Sequence, residues 1–293
     1  MLDVTRLTVL VAVARHGSVT AAARALHYAQ PSVSHHLARL EAETGSVLLQ
    51  KVGRGVRLTD AGRLLADRAE EILGRLAAAE AELAAHTGLR SGRVRLAAFP
   101  SALGTFVPVA AATFARAHPE VDLRFTEAEP PEAVRLLRSG EVEAAVVFAF
   151  PGEPGPDGLR HEHLLDEETN LIVPPGWDGD RLADHQDRPW IGGCERCQGR
   201  LRSACAAEGF TPDIRFTTDD YVAVQALVAA GLGATTLPAL ALAAHRHPRV
   251  RVVPLPDASR RISVALAGAP PDPPGTAALL THLRAAIRST QPA

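Results

Sequence analysis

A proline interrupts an otherwise helical pattern early in the chain, in the stretch HYAQPSVSHHLARLE at residues 27–41. Proline in a helix interior removes a hydrogen bond, but it is well tolerated as the first helical residue. The pattern therefore predicts a turn over residues 27–30 and a helix from Pro31 to about Thr44, ended by Gly45.

The helix predicted after this turn has two chemically different sides. On a wheel of about 100° per residue, the apolar residues Val33, Leu37 and Leu40 cluster on one side. The other side is small and polar, and carries Pro31, Ser32, Ser34, His35, Ala38 and Arg39. Such a helix can enter the major groove of DNA, about 12 Å wide, and present hydrogen-bonding groups to base edges.

The surrounding elements complete a winged helix-turn-helix pattern over residues 1–59. Helices are predicted at residues 2–15 and 20–26, and a glycine-containing β-hairpin at residues 47–59. Helices, turn and hairpin in this order are typical of that class of DNA-binding domain. Residues 1–65 carry a formal charge of +4 and the rest of the chain −6, which favours an anionic partner for the N-terminal part.

A long linker helix is predicted over residues 60–90. Its apolar residues alternate at spacings of four and three, the a/d pattern of a coiled coil. The proposed dimerisation residues on this stripe are Leu65, Ile72, Leu76, Ala79 and Leu83. The alternative is a single helix that packs against its own domain.

After residue 93 the pattern changes to alternating short strands and helices. Such units predict a parallel sheet with helices on both faces, and hence the α/β class. A stretch rich in proline and glycine at residues 151–158 separates two sets of these units.

The N-terminal motifs resemble the DNA-binding domain of LysR-type transcriptional regulators. The matching pieces are Gly17-Ser18-Val19-Thr20, Ala22-Ala23, Leu26, Gln30-Pro31-Ser32-Val33-Ser34, Leu40-Glu41, Gly45, Arg57-Leu58-Thr59 and Ala61-Gly62. Two positions depart from the family pattern. Ala29 stands where serine is usual, and Leu48-Leu49-Gln50-Lys51 replaces a Leu-Phe-x-Arg run in the wing.

The resemblance implies a regulator that binds double-stranded DNA at a dyad-symmetric promoter site as a homodimer or homotetramer. The DNA contacts it implies are Gln30, Pro31, Ser32, Ser34, His35, Arg39, Lys51 and Arg54. A small-molecule effector and RNA polymerase are the other partners it implies.

Residues 93–293 resemble the family's effector domain, two α/β subdomains similar to type 2 periplasmic binding proteins. Subdomain I is predicted at residues 93–161 and 265–293, and subdomain II at residues 162–264, with the effector between them. The effector-binding candidates are Phe99, Pro100, Ser101, Ala102, Phe148, Cys194, Arg196 and Thr218. Ser101 is expected to open a helix, where its hydroxyl either binds a carboxylate or only caps the helix.

The three cysteines leave three interpretations open. Cys194 and Cys197 form a CxxC motif, and Cys205 follows eight residues later. These thiols could be inert, could sense oxidants, or could bind a metal with a further ligand. The histidines considered as that ligand are His161, His163 and His185. A thiol-sensing regulator of the same fold is therefore the alternative function, and no cofactor is predicted.

Other function classes find no support in the sequence. A G-x-S-x-G elbow, a P-loop and a dinucleotide fingerprint are all missing, so no enzyme is predicted. Residues 221–244 are uncharged, but Gly231, Gly233 and Pro238 interrupt them, which favours buried elements over a membrane span. Without a recognisable secretory signal, we expect a cytoplasmic protein.

Overall fold

The computed structural model describes residues 2–52, 55–86, 92–153 and 158–290. Arg54 and residues 87–91 of the predicted linker lie outside this set. The helices are α1 Val4–His16, α2 Val19–Ala25, α3 Gln30–Thr44, α4 Asp60–His86, α5 Pro100–Leu103, α6 Phe106–Ala117, α7 Pro130–Arg138, α8 Glu195–Ala207, α9 Tyr221–Ala229, α10 Ala239–Ala244 and α11 Pro274–Thr290. The strands are β1 Leu49–Val52, β2 Gly55–Leu58, β3 Arg93–Ala98, β4 Asp122–Glu127, β5 Ala144–Ala149, β6 Leu159–Val173, β7 Pro189–Gly192, β8 Asp213–Thr217, β9 Thr235–Pro238 and β10 Arg251–Ala267.

The winged helix-turn-helix is formed by α1 to α3 and the antiparallel hairpin of β1 and β2. Local signals fix its helix ends. The Ser18 hydroxyl accepts from the Ala21 N–H at 3.4 Å and caps α2. Gly45 ends α3 with φ of 64°, in the left-handed region that glycine enters without strain. The helix predicted from Pro31 starts one residue earlier, at Gln30, so Pro31 is its second residue.

The apolar stripe of α4 divides into two parts. Ala66 and Ala69 are buried in the winged-helix core, and Leu65 packs against that core, because α1 lies along this half of α4. Ile72 and Leu76 further along are each 43% exposed. Leu65, predicted for the dimer seam, therefore contacts its own domain, and an exposed stripe begins at Ile72.

The effector region contains a mixed sheet rather than the parallel one predicted. Its strand order is β4-β3-β5-β10-β6-β9. β3 pairs in parallel with β4 and β5, whereas β10 pairs antiparallel with β5 and β6. A separate parallel pair, β7 and β8, completes the described strands. The alternating pattern could not show that the two longest strands run in opposite directions.

The strands β6 and β10 connect the two halves of the effector region. On one side the core is formed by Phe106, Phe114 and Leu283, and on the other by Trp190 and Leu201. Each crossing strand contributes to both cores, as expected for a pair of subdomains joined by a hinge.

The uncharged stretch at residues 221–244 folds as the sequence predicts, into α9, a turn at Gly231, β9 and α10. Val224, Val228 and Leu237 from this stretch are buried in one core. None of the helices in the described residues is both long and apolar enough to cross a membrane.

Candidate DNA-binding surface and effector cleft

The polar side of α3 is exposed, and its apolar side holds the helix in place. Val33, Leu37 and Leu40 are buried against α1 and α2. The exposed side chains are Gln30, Pro31, Ser32, His35 and Arg39, while Ser34 is half-buried. The face predicted to contact DNA is therefore open to a partner along the whole first half of α3.

The turn before α3 contains a left-handed backbone conformation that the sequence did not predict. His27 adopts φ of 55°, which is uncommon for a residue with a side chain. Ala29 occupies the cap position of α3 without a side-chain hydrogen bond to the helix. His36 stacks on Tyr28 with ring centroids 6.0 Å apart and is half-buried, whereas His35 is exposed.

The basic candidates differ in their surroundings. Lys51 is exposed on β1 of the wing. The guanidinium of Arg39 lies 3.7 Å from the carboxylate of Glu43, which Arg6 also binds at 2.5 Å. Arg39 is therefore held near α1 but can exchange this exposed ion pair for a phosphate at little cost.

A buried ion pair joins the paired strands β6 and β10 where they pass from one subdomain to the other. Arg260 Nε donates to Glu167 Oε2 at 2.7 Å, and the two side chains are only 3% and 1% exposed. Arg260 Nη2 donates to the Ser101 hydroxyl at 2.9 Å. Glu167 Oε1 accepts the Leu240 N–H at 2.5 Å, so one carboxylate and one guanidinium join α5, β6, β10 and α10.

This ion pair changes the expected role of the residues around Ser101. Phe99, not Ser101, occupies the cap position of α5, and Pro100 is in its first turn. The Ser101 hydroxyl is fully buried and accepts from Arg260. Of the two roles left open for it, capping this helix is therefore wrong, and binding a carboxylate stays a prediction. Ala102 is buried in the core of the first subdomain.

Phe99 and Phe148, two of the effector-binding candidates, pack their rings against the Arg260 guanidinium. Its carbon lies 4.8 Å from the centroid of the Phe99 ring and 4.3 Å from that of Phe148. Cation–π contact and the carboxylate of Glu167 together compensate for the loss of water around this charge.

Arg196 joins the start of α8 to the opposite subdomain. It donates to the Phe148 carbonyl at 3.2 Å, pairs with Glu153, and lies over the Phe148 ring at 5.0 Å. The Arg196 charge is therefore already neutralised, so an anionic effector would have to displace Glu153.

A small pocket between the subdomains contains two of the three cysteines. Its polar lining is formed by Glu129, Cys194, Cys197, Thr218, Asp219 and Tyr221. Sγ of Cys194 lies 3.0 Å from Sγ of Cys197 and accepts from the Cys197 N–H at 3.4 Å. Cys205 is fully buried elsewhere, in the core around Trp190. The structure thus brings Cys194 and Cys197 together and leaves Cys205 apart.

Several pKa values in this pocket are displaced. The hydrogen bond between the two thiols lowers the pKa of Cys194, and that same bond together with burial raises the pKa of Cys197. Burial raises the pKa of the Glu129 carboxyl. Burial also raises the pKa of Tyr221 to about 12.

The histidines considered as metal ligands lie in other environments. His161 Nδ1 is 3.2 Å from the Ser263 hydroxyl, and His185 stacks on Trp177. Within residues 2–52, 55–86, 92–153 and 158–290, no group of three or more side chains is arranged to hold a metal ion. The pocket chemistry therefore rests on the two thiols and the neighbouring carboxylates.

Comparison with known proteins agrees with this architecture. Residues 4–63 match the family model of bacterial regulatory helix-turn-helix proteins of the lysR family, and residues 87–288 match the LysR substrate binding domain. The chain is 30% identical over 280 residues to the HTH-type transcriptional regulator TfdS of Cupriavidus pinatubonensis, across 89% of this chain and 90% of TfdS. It is 27% identical over 277 residues to the transcriptional dual regulator OxyR of Escherichia coli, across 87% and 85% of the two chains.

The crystal structure of the LysR family regulator CbnR superposes with a TM-score of 0.62 at 25% identity, across 98% of this chain and 99% of CbnR. CbnR complexed with its target DNA superposes with a TM-score of 0.53 at 26% identity, across 98% and 100% of the two chains. The fold, the exposed polar side of α3 and these matches define a DNA-binding transcriptional regulator with an effector-binding domain. The chain belongs to the LysR family.

Proposed function

We propose that this regulator binds a dyad-symmetric DNA site as a homodimer or homotetramer, through α3 and the wing. The observation that carries the proposal is the exposed polar side of α3, presented by a helix whose apolar side is buried. CbnR, a regulator of the same architecture, has been captured with its target DNA. RNA polymerase as a partner remains a prediction from the family resemblance, and the cytoplasm as location remains a prediction from the sequence.

We infer that a small-molecule effector binds between the two subdomains. Its binding changes the angle between the subdomains, which β6 and β10 connect. Support comes from the chemistry gathered at the crossing, where polar groups of both halves meet around Arg260. Closure around a ligand can alter the spacing of paired winged-helix units. A thermal-shift screen with small carboxylates, aromatics and oxidants tests this, and a concentration-dependent rise in Tm is the expected result.

We propose that the exposed part of the α4 stripe forms the dimer contact. Replacing both Ile72 and Leu76 by aspartate is expected to dissociate the oligomer into monomers, because two charges would then enter an apolar seam. Light scattering after size-exclusion chromatography measures the mass. Leu2→Asp with Val4→Asp is the matched control, since these apolar residues are 44% and 46% exposed but lie on the winged helix. An unchanged mass for the Ile72 and Leu76 variant contradicts the seam.

Contacts across α4 offer a route from the effector region to the DNA-binding unit. Arg15 at the end of α1 lies 3.0 Å from Glu70 on α4 and 2.9 Å from Glu141, which follows α7. Gly74 lies so close to α7 that a Cβ atom would collide with the carbonyl oxygen of Arg138. The winged helix, the linker helix and the first subdomain therefore meet in one contact region.

Gly74→Ala is expected to lower the unfolding free energy by about 1–3 kcal/mol, because the added methyl group meets backbone atoms that cannot move aside freely. Gly199→Ala is the control: this glycine is also helical, but open space surrounds its Cβ position. There we expect a gain of roughly 0.5–1 kcal/mol. Urea unfolding of both variants measures the difference, and equal shifts of the same sign would contradict the close contact.

A further inference from the structure

The pocket between the subdomains combines acidic groups with apolar walls. Its charged lining residues are Glu129 from the first subdomain and Asp219 from the second, and both are acidic. Among the residues that the structure describes, no lysine, arginine or histidine lines this pocket. The apolar walls are formed by Ile191, Leu201, Val224, Leu237 and Pro238. A ligand that enters here therefore meets two carboxylates and a hydrocarbon surface.

The basic side chains nearest to the pocket already have partners. The guanidinium groups of Arg260 and Arg196 both act on the charge of Glu129. Arg260 binds Glu167 at 2.7 Å, and Arg196 pairs with Glu153. Neither of the two lining carboxylates has an ion-pair partner in the described part of the chain. The pocket therefore carries negative charge that the protein itself does not neutralise.

Glu129 has an unsatisfied hydrogen-bond acceptor. Its carboxylate shares a side-chain hydrogen bond with Cys194, but its Oε2 atom is buried without a hydrogen-bond partner. Burial raises the pKa of this carboxyl, and the charge of Asp219 acts in the same direction. A buried acceptor without a donor costs free energy. A ligand that carries a positive charge and donates a hydrogen bond removes this cost.

Side chains of the protein cap the two helices, α8 and α9, that begin beside the pocket. Sγ of Cys194 accepts from the Cys197 N–H at 3.4 Å. Oδ1 of Asp220 accepts from the Val222 N–H at 2.8 Å and from the Ala223 N–H at 3.2 Å. Free N–H groups at a helix N-terminus attract anions, but these are already bonded. An anionic ligand would therefore face the two lining carboxylates with little compensation.

We propose that the effector is a small organic cation, an ammonium or guanidinium group on a short apolar body, which binds between Glu129 and Asp219; this rests on the proposed function. The cation donates to Glu129 Oε2 and pairs with Asp219, while its body packs against the apolar walls. Tyr221, which also lines the pocket, is an aromatic group that a cation can contact. Because the two carboxylates belong to different subdomains, one cation between them draws the subdomains together.

The free space in the pocket agrees with a small charged group. It amounts to about 30 Å³, enough for a group the size of a water molecule. An ammonium group fits this space as it stands, whereas the apolar body requires the subdomains to move apart. Binding of the whole cation is thus coupled to the angle between the subdomains.

Two matched series of probes test the charge class on the full-length protein. One is n-butylamine, n-butanol and butyrate, and the other is benzylamine, benzyl alcohol and benzoate. Isothermal titration calorimetry at neutral pH measures each Kd. In at least one series the amine is expected to bind with a Kd below about 1 mM, at least about tenfold tighter than its alcohol and its carboxylate.

Variants of the two carboxylates test the site. Glu129→Gln is expected to weaken amine binding at least about tenfold, because a buried charge opposite the cation is lost. Asp219→Asn should weaken it about threefold, since Asp219 is exposed and solvent screens its charge. Glu195→Gln is the matched control: this exposed residue of α8 does not line the pocket, so the Kd should stay within about twofold. Circular dichroism confirms that each variant is folded.

Each contrary result has a separate meaning. An amine that binds no more tightly than its alcohol or its carboxylate overturns the cation class, while the effector pocket stands if the other probes bind there. Amine binding that both Glu129→Gln and Asp219→Asn leave unchanged overturns the site. If neither amine binds, the inference fails, and the thermal-shift screen decides the proposed effector function independently.

Discussion

Replacing Ser34 and Lys51 together by glutamate is expected to lower the affinity for a selected DNA duplex at least about 100-fold, because the net charge facing the phosphates and base edges falls by three units. Ser34 lies on the first turns of α3, and Lys51 is exposed on the wing. Neither side chain belongs to the winged-helix core, so the oligomer should stay folded.

The matched control places the same charge change on another helix. Arg202→Glu with Ser203→Glu alters two exposed residues of α8 and should leave DNA affinity within about twofold, given the distance over which salt screens charge. Fluorescence anisotropy at several salt concentrations measures both variants. The wild type should lose affinity steeply as salt rises. Equal affinity of the Ser34 and Lys51 variant and the wild type would sink the assignment of α3 and the wing.

Arg260→Met is expected to destabilise the effector region by about 3–5 kcal/mol, because it leaves the Glu167 carboxylate buried without its cation. The Arg260 and Glu167 side chains are almost fully removed from solvent. For a region of this size, each kcal/mol corresponds to roughly 2–4 °C in Tm. Thermal unfolding monitored by circular dichroism should therefore show a clearly separated, lower transition.

A double-mutant cycle separates the interaction energy of the Arg260–Glu167 ion pair from the effect of each substitution on packing. Glu167→Gln keeps an acceptor for the Leu240 N–H but removes the charge opposite Arg260. The double variant Arg260→Met with Glu167→Gln should be less destabilised than the sum of the single changes, since neither charge is then buried alone. Arg261→Met is the control, because its pairing with Asp166 is exposed and such pairs contribute roughly 0–1 kcal/mol. Simple additivity in the cycle argues against a coupled pair.

Helix starts and stops near the N-terminus could be predicted because their causes are local. The Gln-Pro pair and Gly45 act within a turn of the residues they affect, and α3 duly runs from Gln30 to Thr44. The sequence indicates β6 and β10 only in part, since clear strand patterns are confined to residues 168–173 and 261–267. Their remaining halves hold polar residues or prolines, and only pairing with each other makes them continuous strands.

The exposed side of α3 was predicted more completely than the arrangement of the cleft. A helical wheel separates the buried from the exposed side of α3, whereas the cleft depends on residues far apart in sequence. Glu167 and Arg260 had no signal of their own in a chain with 31 basic and 33 acidic residues. Phe99 and Phe148, which were predicted to bind an effector, pack against the Arg260 guanidinium. Their contact with an effector stays a prediction.

The sequence by itself determined the class of this protein, because caps, proline and hydrophobic period act over a few residues and identify the winged helix and the linker helix. Only the tertiary structure decided which half of the α4 stripe is covered, since that depends on where α1 packs. It also decided which charges neutralise each other in the cleft. The register of β6 against β10 places Arg260 opposite Glu167, 93 residues away, and a pairing over that distance leaves no local pattern in the chain.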